Sequence, residues 1–233
     1  MSSSNKTNTA GIESPQPAGG RGMLIVVSSP SGGGKGTLIR RALKIVPDVG
    51  YSVSYTTRAP REGELDGRHY FFVSVDAFRA MESNGDFLES ATVHGNLYGT
   101  AHARVEEELS KGHDIILEID VQGAENVRRL VTSAVMVFVL PPSFEILRDR
   151  LTARGSEEPS ELALRLRNAR HEVEEYKLFD YVIINDEADR AANQLAAVIY
   201  AERARRARQE EAARRVLETF VRSAPADTSD SKP

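Results

Sequence analysis

Apolar residues along the chain fall into short unbroken runs that alternate with stretches of helical spacing. Leu24-Ile25-Val26-Val27, Ile115-Ile116-Leu117 with Ile119, Val135 to Leu140 and Tyr181-Val182-Ile183-Ile184 are four such runs. A helical pattern follows each: Gly36 to Val46, Gly123 to Val131, Ser143 to Ala153, and Ala188 onward. Strands buried on both faces read as continuous Val/Ile/Leu runs, and intervening helices let successive strands run parallel. The pattern therefore predicts an α/β fold with a parallel sheet covered by helices.

Residues 51 to 112 break this rhythm. Tyr51 to Tyr55, Tyr70 to Val73 and Phe87 to Val93 alternate more, carry aromatics and are punctuated by Gly63, Gly67, Gly85, Gly95 and Gly99. They predict a small mixed sheet inserted between two strands of the main one, with Phe71, Phe72 and Phe78 in its core. Residues 1–21 and 223–233 are dominated by small polar residues, Gly and Pro. Such segments bury too little apolar surface to offset the entropy of ordering, which predicts disordered tails. The expected core is then 22–50 with 113–222, and the insertion is 51–112.

Composition narrows the function. The chain has 233 residues, 40% of them hydrophobic, enough for one packed domain with an insertion. Lys and Arg total 30 against 34 Asp and Glu, a net charge of −4 that argues against nucleic acid as a partner for the whole surface. The absence of Cys excludes disulfides, Cys-ligated zinc, iron–sulfur clusters and a thiol nucleophile. The five His (69, 94, 102, 113, 171) lack metal-ligand spacing. No apolar run approaches the roughly 18 residues of a membrane span. The N-terminus lacks the charged-then-apolar pattern of a secretory signal, so a cytoplasmic protein without a membrane partner is expected.

Ser28-Ser29-Pro30-Ser31-Gly32-Gly33-Gly34-Lys35-Gly36-Thr37 follows an apolar strand and opens a helix. Three consecutive glycines let backbone N–H groups turn inward around phosphate oxygens, and the helix N-terminus adds its positive dipole end. Lys35 is placed to reach the β- and γ-phosphates, and a Thr37 hydroxyl can approach a magnesium ion. The match to the phosphate-loop pattern is imperfect: Ser29 replaces its first Gly, and Gly36 stands where the metal-binding hydroxyl belongs. Glu118 and Asp120 close the strand from Asp114. Acids at that edge hold magnesium directly or through water in phosphoryl-transfer enzymes, and elsewhere they merely end a strand.

Residues 54–64, Ser-Tyr-Thr-Thr-Arg-Ala-Pro-Arg-Glu-Gly-Glu, carry the argument further. Together with Ser31 to Lys35 they resemble the guanylate kinase family. Gly67 to Phe72, Phe87-Leu88-Glu89, Tyr98-Gly99-Thr100, Ile119 to Ala124 and Val182 to Asp186 follow in family order. The resemblance runs from about Gly22 to Val221. It implies a kinase that transfers the γ-phosphoryl group of ATP to GMP, and to dGMP, with magnesium as cofactor. It assigns Ser31, Gly32, Gly33, Gly34, Lys35, Gly36 and Thr37 to ATP. By the same resemblance Arg58, Arg61, Tyr70 and Tyr98 are expected to hold the GMP phosphate, which suits paired guanidinium forks. It implies that Ser54, Glu89, Thr100 and Asp120 read guanine, whose N1–H and N2–H donors a carboxylate accepts together. The acceptor phosphate is already ionised, so the reaction needs neutralising charge rather than a general base.

The same resemblance implies a lid over about 144–170. Arg150 and Arg154 lie four apart on one helical face, Gly155 is a helix stop, and Ser156 to Ser160 reads as a mobile link. Arg150, Arg154 and Arg165 are expected to swing over the phosphates, with Arg148 and Arg167 as surface charge. Asn185 and Asp186 end the last strand and are expected at the adenine. The C-terminal helical segment pairs many charges with a narrow stripe at Val216, Leu217, Phe220 and Val221. It reads as a solvated helix and a candidate surface for a homo-oligomer. Two rivals remain: a catalytically inactive guanylate-kinase-like module that binds phosphopeptides, and a phosphate-loop kinase for another monophosphate. The intact Lys35 loop opposes the first, and the set Glu89, Thr100 and Asp120 opposes the second.

Overall fold

The computed structural model describes residues 20–93, 95–153 and 159–222. Most of the two expected tails, Arg154, His94 and the first part of the expected link lie outside the described residues. In chain order the strands are β1 (Leu24–Ser28), β2 (Val49–Tyr51), β3 (Tyr55–Thr56), β4 (Phe71–Phe72), β5 (Phe87–Val93), β6 (Asn96–Ala101), β7 (Asp114–Glu118), β8 (Val135–Leu140) and β9 (Tyr181–Ile184). The helices are α1 (Lys35–Ile45), α2 (Val75–Ser83), α3 (His102–Ser110), α4 (Val121–Leu130), α5 (Phe144–Thr152), α6 (Pro159–Glu172), α7 (Ala188–Arg203) and α8 (Arg206–Arg222). A 3-10 segment, Val173–Leu178, follows α6.

The four expected strands join β2 in one parallel sheet of order β2-β7-β1-β8-β9. Ile25 sits between Ile116 and Val135, and every residue of β1 is buried. Alternate side chains of β1 enter opposite layers. Ile25 and Val27 pack with Leu38, Ile39 and Ala42 of α1 and with Leu195 and Ile199 of α7. Leu24 and Val26 pack with Val105 and Leu109 of α3, Ala124 and Val127 of α4, and Leu88 of β5. The second sheet, order β4-β3-β6-β5, is mixed, since β3 runs parallel to β4 and antiparallel to β6.

Two expectations about the insertion change. The run Tyr51 to Tyr55 is split. Tyr51 pairs with Ile116 in the parallel sheet, and the Ser52 N–H still donates to Ile116, so the small sheet begins only at Tyr55. Of the three expected core phenylalanines only Phe78 is fully buried, against Phe87 at 4.5 Å between ring centres. Phe71 and Phe72 are half-buried, because the Arg104 and Arg58 guanidinium groups cover their rings at 4.3 and 5.9 Å. Leu88 reaches across into the main core, so β5 is tied to α3 and α4. This contact sets how closely the small sheet approaches the carboxyl end of the parallel sheet, where open α/β folds bind ligands. On α8 the stripe Val216, Leu217, Phe220 and Val221 is exposed.

Candidate functional site

The phosphate loop grows out of β1. Gly32 and Gly34 adopt φ of 84° and 88°, in the left-handed region that costs glycine nothing. The Gly33 N–H donates to the Pro30 carbonyl at 2.9 Å, and Gly34 opens α1 without a capping side chain. The loop is braced from the end of β9. Asn185 Nδ2 donates to the Gly33 carbonyl at 2.9 Å, and Arg150 of α5 donates to the Asn185 carbonyl at 2.7 Å. A Cβ at Gly34 would come within 2.4 Å of Asn185 Nδ2. Asn185 is therefore committed to the loop. Asp186 accepts from its neighbour Glu187 N–H and pairs with Arg190.

Glu118, at the end of β7, faces the start of α1. Its Oε1 lies 3.9 Å from Lys35 Nζ, and its Oε2 accepts from the Tyr51 hydroxyl at 3.1 Å. Burial, then the Glu118 charge, holds the Tyr51 hydroxyl far above the ordinary tyrosine range. A Cβ at Gly36 would lie 3.1 and 3.2 Å from the two Glu118 oxygens. The departure from the usual hydroxyl at this position thus coincides with a carboxylate packed on the loop. Thr37 is exposed, with its Oγ1 accepting from Arg40 at 3.2 Å. Asp120 caps α4 through Oδ1, which accepts the Gly123 N–H at 2.9 Å. Among the described residues no group of three or more His, Cys, Asp or Glu forms a metal cage.

Two cavities open between the sheets and share Lys35, Val93, Tyr98 and Asp120. The first, about 230 Å³, is lined by Ser31, Lys35, Arg58, Arg61, Tyr98 and the buried Arg165 of α6, with Asp120 and Glu172. It thus gathers four cations from three separate segments, since Arg58 and Arg61 share one. Arg58 is fixed by Ala59 O at 2.7 Å, by both oxygens of Glu64 at 2.8 and 2.9 Å, and by the Tyr70 ring at 5.4 Å. Burial opposes the charged form of Glu64, yet the Arg61 N–H and Arg58 together hold its carboxyl below the ordinary range. Glu172, at the end of α6, accepts the Ser31 N–H at 2.9 Å. Sequence reasoning missed both Glu64 and Glu172. Only the first left a signal, three residues beyond Arg61 in a glycine-rich turn.

The second cavity, about 160 Å³, is lined by Ser54, Tyr70, Glu89, Tyr98, Glu118 and Asp120. Thr100 lies behind it, fully buried, and its hydroxyl donates to Glu89 Oε1 at 2.6 Å. Burial pushes the Glu89 carboxyl up to about 7; the Thr100 hydrogen bond opposes this and the Asp120 charge adds to it. Burial likewise raises the Tyr70 hydroxyl to about 12, with Glu118 and Tyr98 contributing, so it stays a donor at neutral pH. A small anionic pocket beside a cationic one can hold a molecule with hydrogen-bond donors at one end and a phosphate at the other. Thr37, Arg150, Asn185 and Asp186 line neither cavity, and Arg154 lies outside the described residues.

The family model described as guanylate kinase matches residues 21–202. A guanylate kinase of Thiobacillus denitrificans is 48% identical over 182 residues, covering 78% of this chain and 87% of that protein. One of Geobacter sulfurreducens is 46% identical over 187 residues, covering 80% and 92%. The crystal structure of guanylate kinase from Anaplasma phagocytophilum superposes with a TM-score of 0.70 at 34% identity, covering 81% of this chain and 90% of that one.

Proposed function

The chain belongs to the guanylate kinase family, and on that premise we propose that it transfers the γ-phosphoryl group of ATP to GMP, and to dGMP, yielding ADP and the diphosphate. The observation that carries this reading is the joining of the cationic cavity, with Arg58, Arg61 and Lys35, to the pocket built on Glu89. Guanine enters the second cavity with its two donors toward Glu89. Its phosphate then lies among Arg58, Arg61, Tyr70 and Tyr98.

A phosphate oxygen of GMP attacks the γ-phosphorus. The new P–O bond forms as the bond to the β-phosphate oxygen breaks, and ADP leaves with the electron pair. No proton need be removed from the acceptor, so the protein supplies position and charge. Lys35 and the loop N–H groups hold the donor phosphates, and Arg165 faces the acceptor's cavity. Arg150 and Arg154 are assigned to the lid that completes the site on closure. The family implies a magnesium ion. Glu118, beside Lys35 with its second oxygen bonded to Tyr51, and Asp120, half used as a helix cap, fit a hydrated ion held largely by phosphate oxygens. That ion would neutralise charge between the phosphates when bound.

The inactive phosphopeptide-binding rival would use the same cationic cavity but has no use for Lys35 at the donor side. One assay separates the readings. ADP formation is followed with ATP and magnesium against GMP, dGMP, AMP, UMP and CMP in turn. Rapid turnover with GMP and dGMP alone supports the proposal. No turnover with any of them overturns it, and a preference for another monophosphate reassigns the base pocket.

A further inference from the structure

Gly123 lies in the first turn of α4, buried, with ordinary helical backbone. Nothing in its conformation requires glycine, and alanine would make the better helix. Its surroundings do require it. A Cβ at this position would sit 2.5 Å from Glu89 Oε2, 3.2 Å from Glu89 Cδ and 3.2 Å from Asp120 Oδ1. The other Glu89 oxygen is held by Thr100 at 2.6 Å. The carboxylate is therefore clamped between a hydroxyl on β6 and bare backbone on α4. The spacing of these elements is fixed elsewhere, by Leu88 packed with Ala124 and Val127. If a methyl group were added at 123, the core would hold and the end of the Glu89 side chain would yield.

We propose that Gly123 is a positioning residue for base recognition: its missing side chain leaves the space in which α4 and Thr100 together aim the Glu89 carboxylate into the cavity. This rests on the reading of Glu89 as the group that meets guanine. It assigns to the helix a role in selectivity separate from the Asp120 cap that begins it.

The test uses the full chain with Gly123→Ala, Glu89→Ala and the double variant, measured with GMP, AMP and ATP. Gly123→Ala is expected to lower kcat/KM for GMP roughly 10- to 100-fold, the scale set by a misplacement of about 1 Å. Most of that change should appear in the KM for GMP. The KM for ATP should stay within about twofold and Tm should not fall, because the clash moves only a side-chain end. In the Glu89→Ala background no carboxylate remains to be displaced, so Gly123→Ala should cost less than about twofold, a non-additivity expected of groups in contact. An equal loss in both backgrounds, or a loss of Tm, would show that the glycine serves helix packing and overturn the proposal. Unchanged GMP preference in Gly123→Ala, with that preference abolished in Glu89→Ala, would also overturn it while leaving the guanine reading intact. Full GMP preference in Glu89→Ala would instead overturn the guanine reading on which the proposal stands.

Discussion

Glu89 is 6% exposed, and its carboxyl titrates near 7 because burial disfavours the charged form. An unfolded chain would give it an ordinary carboxylate value. The fold therefore prefers the protonated form, so this group's contribution to stability is complete below the ordinary carboxylate range and is lost as pH rises through about 7. Glu89→Gln, neutral at every pH, should melt above the wild type at pH 8. The gap should widen between about pH 5 and 7 and then level off. Thermal melts across that range check it, and a pH-independent gap would count against the buried charge. Lys35 presents the opposite case, a cation to which the proposed mechanism gives a catalytic role. Lys35→Met keeps the stem and removes the charge, and kcat should fall at least about 10²-fold with the fold intact. Single-turnover kinetics and circular dichroism measure both. At this scale the sequence was most informative where residue type alone limits the chemistry, as with the glycines around Lys35 and the arginines of 54–64. Glu172 was invisible, because a carboxylate bonded to a backbone N–H 141 positions away leaves no local pattern.

Elements come together at the loop brace. Asn185, at the end of β9, reaches the Gly33 carbonyl across 152 positions of chain. In Asn185→Ala the remaining donor to that carbonyl is Arg150 Nη1, at 3.5 Å. An unmet buried polar group costs about 1–3 kcal/mol. Tm should therefore drop by roughly 2–10 °C. If the brace shapes the loop, kcat should fall too, with the KM for GMP little changed. A variant that loses stability but keeps kcat would make Asn185 a structural residue only. β1, β7 and β8 were legible because burial on both faces forces continuous apolar runs; β9, at the sheet edge, carries the same kind of run although Val182 and Ile184 are exposed. β2 was not: three residues paired at the sheet edge, all partly exposed, carry too little pattern to separate them from Tyr55. α2 and α3 were hidden by the same local weakness. Each is nine residues long and buries only one or two side chains, Phe78 in one and Val105 and Leu109 in the other.

For the whole molecule, the arrangement of two sheets around a divided cleft makes one claim above the rest: the enzyme selects guanine. The small sheet supplies Glu89 and Thr100, and the parallel sheet supplies Asp120 and, through α4, the close approach of Gly123. The donor-side loop borders this pocket through Lys35 and the adjacent Glu118, whereas Glu89 and Thr100 belong to the small sheet, so substitution at Glu89 should alter base selection with little effect on ATP binding. Glu89→Gln tests this most directly. It keeps the shape and the acceptor for Thr100 but turns an NH₂ group toward one guanine donor. An unpaired buried donor and a lost charge-assisted bond together should reduce kcat/KM for GMP about 10²-fold or more. The slight activity with AMP should hold or rise, and the KM for ATP should barely move. Undiminished preference for GMP over AMP in Glu89→Gln would contradict the account, because base selection would then reside outside this pocket.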